Sequence, residues 1–232
     1  MALQPSIGSV PPGAIQVDRN EAAAYQYRQI KEWPHFRDVW PFKVGVPLLA
    51  GLAACSALVI NRHFRIKVKL RNQGVIATQI TSATGAVIFA TAPHIAVIFY
   101  LFMIVKFVMQ DLFLNTTPCP LCVETRATFI QTGAAIIYPS IAAPLANFFL
   151  ASRIGTYRLP YFADGKEIFK LWIKFMKPLH IKLVILTAVN ILAAGFITYK
   201  EAMSIQRVRI KLIKFAEQLH KEESVKLQKL KQ

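Results

Sequence analysis

Four long stretches of the chain carry no lysine, arginine, aspartate or glutamate, and cationic segments separate them. The first, Val44 to Asn61, reads VGVPLLAGLAACSALVIN. At ~1.5 Å per residue it reaches about 27 Å as a helix, enough for one bilayer crossing. Its small residues Gly45, Ala50, Gly51, Ala53, Ala54, Ser56 and Ala57 would let a neighbouring helix approach closely. The basic run RHFRIKVKLR is expected to stop this span at once. The second stretch, Val75 to Val105, would be about 46 Å long as a single straight helix, well beyond a ~30 Å hydrocarbon core. Pro93 lacks a backbone donor, so the pattern predicts one kinked, tilted span followed by a protruding turn through Phe107 to Leu114. Two shorter segments hinged at Pro93-His94 are the alternative.

Ala127 to Leu150 is the third stretch, bent at Pro139 and Pro144, which bilayers tolerate where neighbours satisfy the freed carbonyls. Leu183 to Tyr199 is the fourth, extended at its start by residues 179–182 and bracketed by Lys182 and Lys200. The expected fold class is therefore an all-α polytopic membrane protein. It has about four transmembrane helices, with spans near 44–61, 75–105, 127–150 and 179–199. An N-terminal tail (1–43) carries the interfacial aromatics Trp33, Phe36, Trp40 and Phe42, and residues 200–232 form a basic C-terminal helix.

Two connecting segments are amphipathic. Asp164 with Glu167 three residues on resembles a capping box. The helix it opens puts Lys166, Lys170, Lys174 and Lys177 on one face, with Ile168, Leu171, Trp172 and Phe175 opposite. That spacing fits a helix lying in the membrane interface, with Trp172 at headgroup level and Pro178 stopping it. After span four, Ile205, Val208, Leu212, Phe215 and Leu219 form an apolar seam of about two heptads among Arg207, Arg209 and Lys211. Such a seam predicts docking on another protein or on the membrane surface. Nucleic acid is not the expected ligand, because the seam would then lie uncovered.

Composition sharpens this picture. Of 232 residues 54% are hydrophobic, yet the formal net charge is +16. Most soluble enzyme folds, and a disordered basic tail, are excluded by that pairing, and an anionic lipid surface is the natural neighbour. The first 43 positions hold no long apolar run, so no secretory signal is expected, and their acidic residues argue against a simple cleavable mitochondrial presequence. Charge does not orient the chain, since counting all connecting segments and counting only the short ones favour opposite sides.

The remaining chemistry is the pair Cys119 and Cys122, four residues ahead of Arg126. Thiol redox catalysis would need a second exchangeable pair, and only Cys55, shielded within span one, remains. A zinc site would need further ligands, and His35, His63, His94, His180 and His220 are scattered. A structural disulfide or two free thiols fixing the turn into span three is the third reading, and the residue types favour it. No catalytic, cofactor-binding or metal-binding residue is expected. A carrier or channel is disfavoured by the lack of polar residues within the spans.

These residues, in order, resemble the transmembrane protein 126 family. The resemblance rests on Asn61, Phe64 and Arg65 closing the first span, then Cys119, Cys122 and Arg126, then Gly133 and the Tyr138-Pro139 step. Leu159-Pro160, Gly165, Trp172 and Lys177 complete it, so that it covers roughly residues 44–200. It implies a non-catalytic assembly factor, or chaperone, of the multi-pass mitochondrial inner membrane. Such a protein would hold membrane-arm intermediates of respiratory-chain complex I. The implied partners are membrane-arm subunits, other assembly factors of the mitochondrial complex I intermediate assembly complex, and anionic lipid such as cardiolipin. The Cys119/Cys122 motif is similar to the family branch linked to the distal membrane-arm module. Residues 92–114 and the C-terminal helix are longer than the family pattern, so the branch stays open. A membrane thiol oxidoreductase using Cys119 and Cys122 is the alternative function.

Overall fold

A computed structural model describes residues 19–95, 120–160 and 164–230, and every regular element among them is helical. The order is α1 (Arg19–Lys31), α2 (Phe36–Lys67), α3 (Val75–Ile95), α4 (Pro120–Thr132), a π-helical turn (Gly133–Ile137) and α5 (Tyr138–Ile154). Then follow α6 (Gly165–Met176), a 3₁₀ turn (Lys177–Leu179) and α7 (His180–Leu230). Among the described residues three helical runs are long and apolar enough to cross a membrane: α2, α4 through α5, and the run containing α7. Val75–Thr91 in α3 is a shorter apolar helix. Large apolar side chains such as Leu48, Ile80, Phe149, Val184, Leu192 and Phe196 lie exposed on the outside of the bundle. A water-facing surface rarely carries so much apolar area, whereas lipid accommodates it without cost. The protein is an all-helical membrane protein.

Contacts along α2 order the other helices around it. Leu49, Ala53/Ala57 and Asn61 meet Gln131, Ala134/Ala135 and Asn147 in turn, so α4–α5 runs parallel to α2. Ser56 meets Asn190, Gly45 meets Ile197, and Asp38 meets Lys211, so α7 runs antiparallel to it. α3 is also antiparallel, reached through the turn after Lys67. One end of the bundle therefore gathers α1, the start of α2, the start of α4 and the distal half of α7. The other gathers the α2–α3 turn, residues 155–160 and α6.

Alanine makes the centre of the bundle thin. Ala53 and Ala57 of α2 pack on Ala86 and Ala90 of α3 and on Ala134, Ala135 and Ile136 of the π turn. This bears out the small-residue face expected of span one, except at Gly51, which is exposed with none of the described residues against it. The π turn has a local cause. Pro139 has no N–H to offer, and the Tyr138 N–H reaches back five residues to the Gly133 carbonyl. Tyr138 then lies over Gly85, where an added Cβ would stand 2.0 Å from its hydroxyl, and its ring meets Phe89 at 4.8 Å.

Several expected boundaries move. Residues 36–43, assigned to the tail, are the first turns of α2, and Asp38, Val39, Pro41 and Phe42 are buried there. The basic run does not stop the span at once, because α2 continues to Lys67. Arg65, 4% exposed, turns inward and donates to the carbonyls of Arg71 (3.0 Å), Gln73 (2.7 Å) and Gly74 (3.3 Å) and to Thr78 Oγ1 (2.7 Å). It holds the tight turn in which Lys69 and Arg71 have positive φ. α3 runs past position 93 to Ile95 without breaking; the rest of the expected second span, with its turn, lies outside the described residues. Span four and the basic helix are one element, α7, with no break near residue 200.

Candidate functional site

The expected docking seam is divided between inside and outside. Ile205 and Val208 pack on Ile30, Val39 and Phe42, so the first part of the seam is spent within the molecule. Lys211, expected to face a partner or lipid, pairs instead with Asp38, which also accepts from Trp33 Nε1 at 3.2 Å. These contacts clamp α7 to α1 and the start of α2. Beyond the clamp Leu212, Phe215 and Leu219 are exposed, as are Ile210 and Ile213, and Arg207 and Arg209 also face outward. The remaining surface is apolar and cationic together.

α6 is amphipathic as the spacing predicts, but its apolar face covers protein. Phe175 is buried among Phe64, Phe148, Leu179 and neighbours, with ring centroids 6.0 Å from both Phe148 and Tyr157. His63 Nε2 lies 3.0 Å from the Phe175 carbonyl, so that nitrogen carries the proton it donates. Trp172 does not point its N–H to the headgroups; it donates to the Ser140 carbonyl of α5 at 3.1 Å. Lys166, Lys170, Lys174 and Lys177 are exposed, with Lys170 on Glu167 at 2.7 Å. The capping box does not form, since Asp164 sits at the N-cap position without a side-chain cap bond. Nor does Pro178 end the helical path: it lies in the 3₁₀ turn that feeds directly into α7.

Cys122 is exposed in the first turn of α4, where it lines a cleft of about 520 Å³ with Arg126 and Phe129. Cys119 lies outside the described residues. Cys55, expected to be shielded, is exposed on the outer face of α2. Among the described residues no three of His, Cys, Asp and Glu gather as metal ligands.

The sequence reading missed a polar seam inside the bundle, having counted the spans as free of polar groups. Gln131 Nε2 donates to the Leu49 carbonyl at 3.0 Å and to Asn190 Oδ1 at 2.9 Å. Asn190 Nδ2 donates to Ser56 Oγ at 3.0 Å, tying α2, α4 and α7 at one level. A second group joins Asn147 Nδ2 to Asn61 Oδ1 at 2.7 Å, linking α5 to α2 beside Thr78 of α3. Such bonds fix helix partners where lipid offers no polar alternative. Their signal was present as lone Asn and Gln residues inside otherwise apolar blocks. Glu201 falls in the expected basic C-terminal helix, yet it is wholly buried against Gly45, and neither carboxyl oxygen has a hydrogen-bond partner among the described residues.

Comparison with known proteins agrees with the resemblance drawn from the motifs. Residues 20–214 match the family model described as Transmembrane protein 126. The chain is 29% identical over 215 residues to a Drosophila melanogaster protein named Transmembrane protein 126, covering 92% of each chain. No solved structure matches.

Proposed function

We propose that this chain, which belongs to the transmembrane protein 126 family, is a non-catalytic assembly factor of the mitochondrial inner membrane. In this reading it binds and stabilises membrane-arm intermediates during the biogenesis of respiratory complex I. The observation that carries the proposal is the shape of α7. Its 51 residues extend about 77 Å, more than twice a ~30 Å hydrocarbon core. The distal half is clamped at its root by Val208 and by the Lys211–Asp38 pair, and beyond that it offers Leu212, Phe215 and Leu219 uncovered beside Arg207 and Arg209. A rigid helix with an apolar, cationic side is suited to hold another protein. Membrane-arm subunits and fellow assembly factors are the proposed partners, with anionic lipid such as cardiolipin at the charged ends of the bundle.

Affinity purification of the tagged protein in mild detergent tests this directly. Complex I subunits and assembly factors should co-purify, and the protein should migrate with a sub-complex on native gels. The triple variant Leu212→Ser/Phe215→Ser/Leu219→Ser should lose those partners. Because all three side chains are exposed, its own stability should change by no more than about 0.5 kcal/mol per site. Finding the protein stoichiometric in mature complex I would sink the assembly-factor reading. The alternative, a membrane thiol oxidoreductase, draws on the exposure of Cys122 beside Arg126. Under the scaffold reading Cys119→Ser/Cys122→Ser keeps most function; under the oxidoreductase reading it abolishes it.

A further inference from the structure

Between α5 and α6 lies a cleft of about 340 Å³ whose walls include Ile141, Leu145 and Phe148 on one side and Ile168, Phe169 and Trp172 on the other. That volume falls in the range of ~300–1,000 Å³ typical of ligand pockets. None of the described residues that line it is charged, and the one polar side-chain atom among these six, Trp172 Nε1, is committed to the Ser140 carbonyl. Water would find no partners there, and an empty cleft would forgo the dispersion contacts of its walls. The same indole bond pins α6 to α5, so the cleft is formed before anything enters it. Ile141, Leu145 and Phe169 are each more than half exposed, so it opens on the outer surface of a helix that faces lipid. Around α6, Ile173 lies between the cleft wall at Phe169 and the lysine face. On that face Lys170 is engaged by Glu167, while Lys166, Lys174 and Lys177 are exposed.

We propose that this cleft binds an acyl chain of an anionic phospholipid from the surrounding bilayer, with the α6 lysines at its headgroup. The apolar walls account for the chain and the adjacent ammonium groups for the choice of headgroup. The proposal specifies the lipid contact of the assembly-factor reading, but it rests only on the protein lying in a membrane.

The test uses the full chain reconstituted in phosphatidylcholine vesicles. These are doped with phosphatidylglycerol or phosphatidylcholine carrying the same photoactivatable acyl chain, and crosslinked peptides are then mapped. The phosphatidylglycerol probe should label the segments around Ile141–Leu145 and Ile168–Trp172 in preference to the phosphatidylcholine probe. In Lys166→Gln/Lys174→Gln/Lys177→Gln that preference should fall roughly fivefold for each lysine that reaches the headgroup. Leu145→Trp, which fills the cleft, should remove labelling by both probes there. Equal labelling by the two probes would overturn the headgroup assignment. Labelling spread evenly over other lipid-facing positions such as Leu48 and Phe196 would overturn the site. If Leu145→Trp fails to fold, the triple lysine variant still decides, since its changes are all on exposed side chains. Either failure would leave partner capture by α7 standing, because that is read with separate variants.

Discussion

Asn190 makes three hydrogen bonds in a layer otherwise built from alanine and leucine: it accepts from Gln131 and donates to Ser56 and to the Leu186 carbonyl. Removing one member leaves a polar group stranded in an apolar interior, which costs more than the bond itself contributes. Asn190→Leu and Gln131→Leu should each destabilise the bundle, and the double variant should lose less than their sum. The expected coupling is ~0.6–1.7 kcal/mol, read from thermal unfolding in detergent. Strict additivity would mean that the two side chains do not act together. Arg65 is a sharper case. Its planar fork reaches three carbonyls and a hydroxyl, a set that a lysine ammonium cannot span. Arg65→Lys should therefore lose about 1.5–3 kcal/mol and lower the melting temperature, despite keeping the charge.

At the scale of elements, α2 and α7 come into close contact where Gly45 faces Ile197 and Glu201. An added Cβ at Gly45 would stand 2.6 Å from Ile197 Cγ2, so Gly45→Val forces the helices apart. It should cost about 1–3 kcal/mol and loosen the α7 clamp, seen as faster proteolysis after Lys211. Gly51→Ala, with open space around it, serves as the matched control and should be close to neutral. The apolar blocks that become these helices were legible in the sequence because lipid demands unbroken apolar runs. Their ends were not. A helix need not stop where the membrane does, so α2 and α7 run through charged residues while their backbone bonds continue. α6 shows the other limit. Its spacing announces an amphipathic helix, but the same pattern serves a lipid surface or a protein core, and only Phe175 meeting Phe64 and Phe148 decides for the core. Glu201 follows Lys200 at the head of a cationic stretch, and nothing in that context marks it as the buried partner of Gly45.

For the molecule as a whole, the parallel course of α4–α5 and the antiparallel courses of α3 and α7 fix which segments share an end. α1, Cys122 and the distal half of α7 should lie on one side of the membrane. The turn near Lys69 and the connector at Gly155 should lie on the other. Protease protection of epitope tags at the two termini, with an impermeant maleimide reporting an engineered cysteine at Lys69, checks this. Tags at the two termini should behave alike and the Lys69 site oppositely. Termini on different sides would contradict the arrangement. Charge patterning could not assign the sides because both ends of the bundle are cationic, whereas paired contacts, Leu49–Gln131 with Asn61–Asn147 and Asp38–Lys211 with Ser56–Asn190, give the relative directions.

α7 contains no proline and no interruption from His180 to Leu230, so its lipid-embedded and projecting parts are a single rod. Each residue beyond the Lys211–Asp38 clamp stands at a set height and compass bearing relative to the bundle, advancing ~1.5 Å and ~100° per position. The helix thereby works as a ruler and a protractor at once. A partner gripping Phe215 is held at one distance from the membrane and at one angle around it. Any lengthening of the rod that is not close to a whole number of turns would swing a partner so held out of register with the bundle.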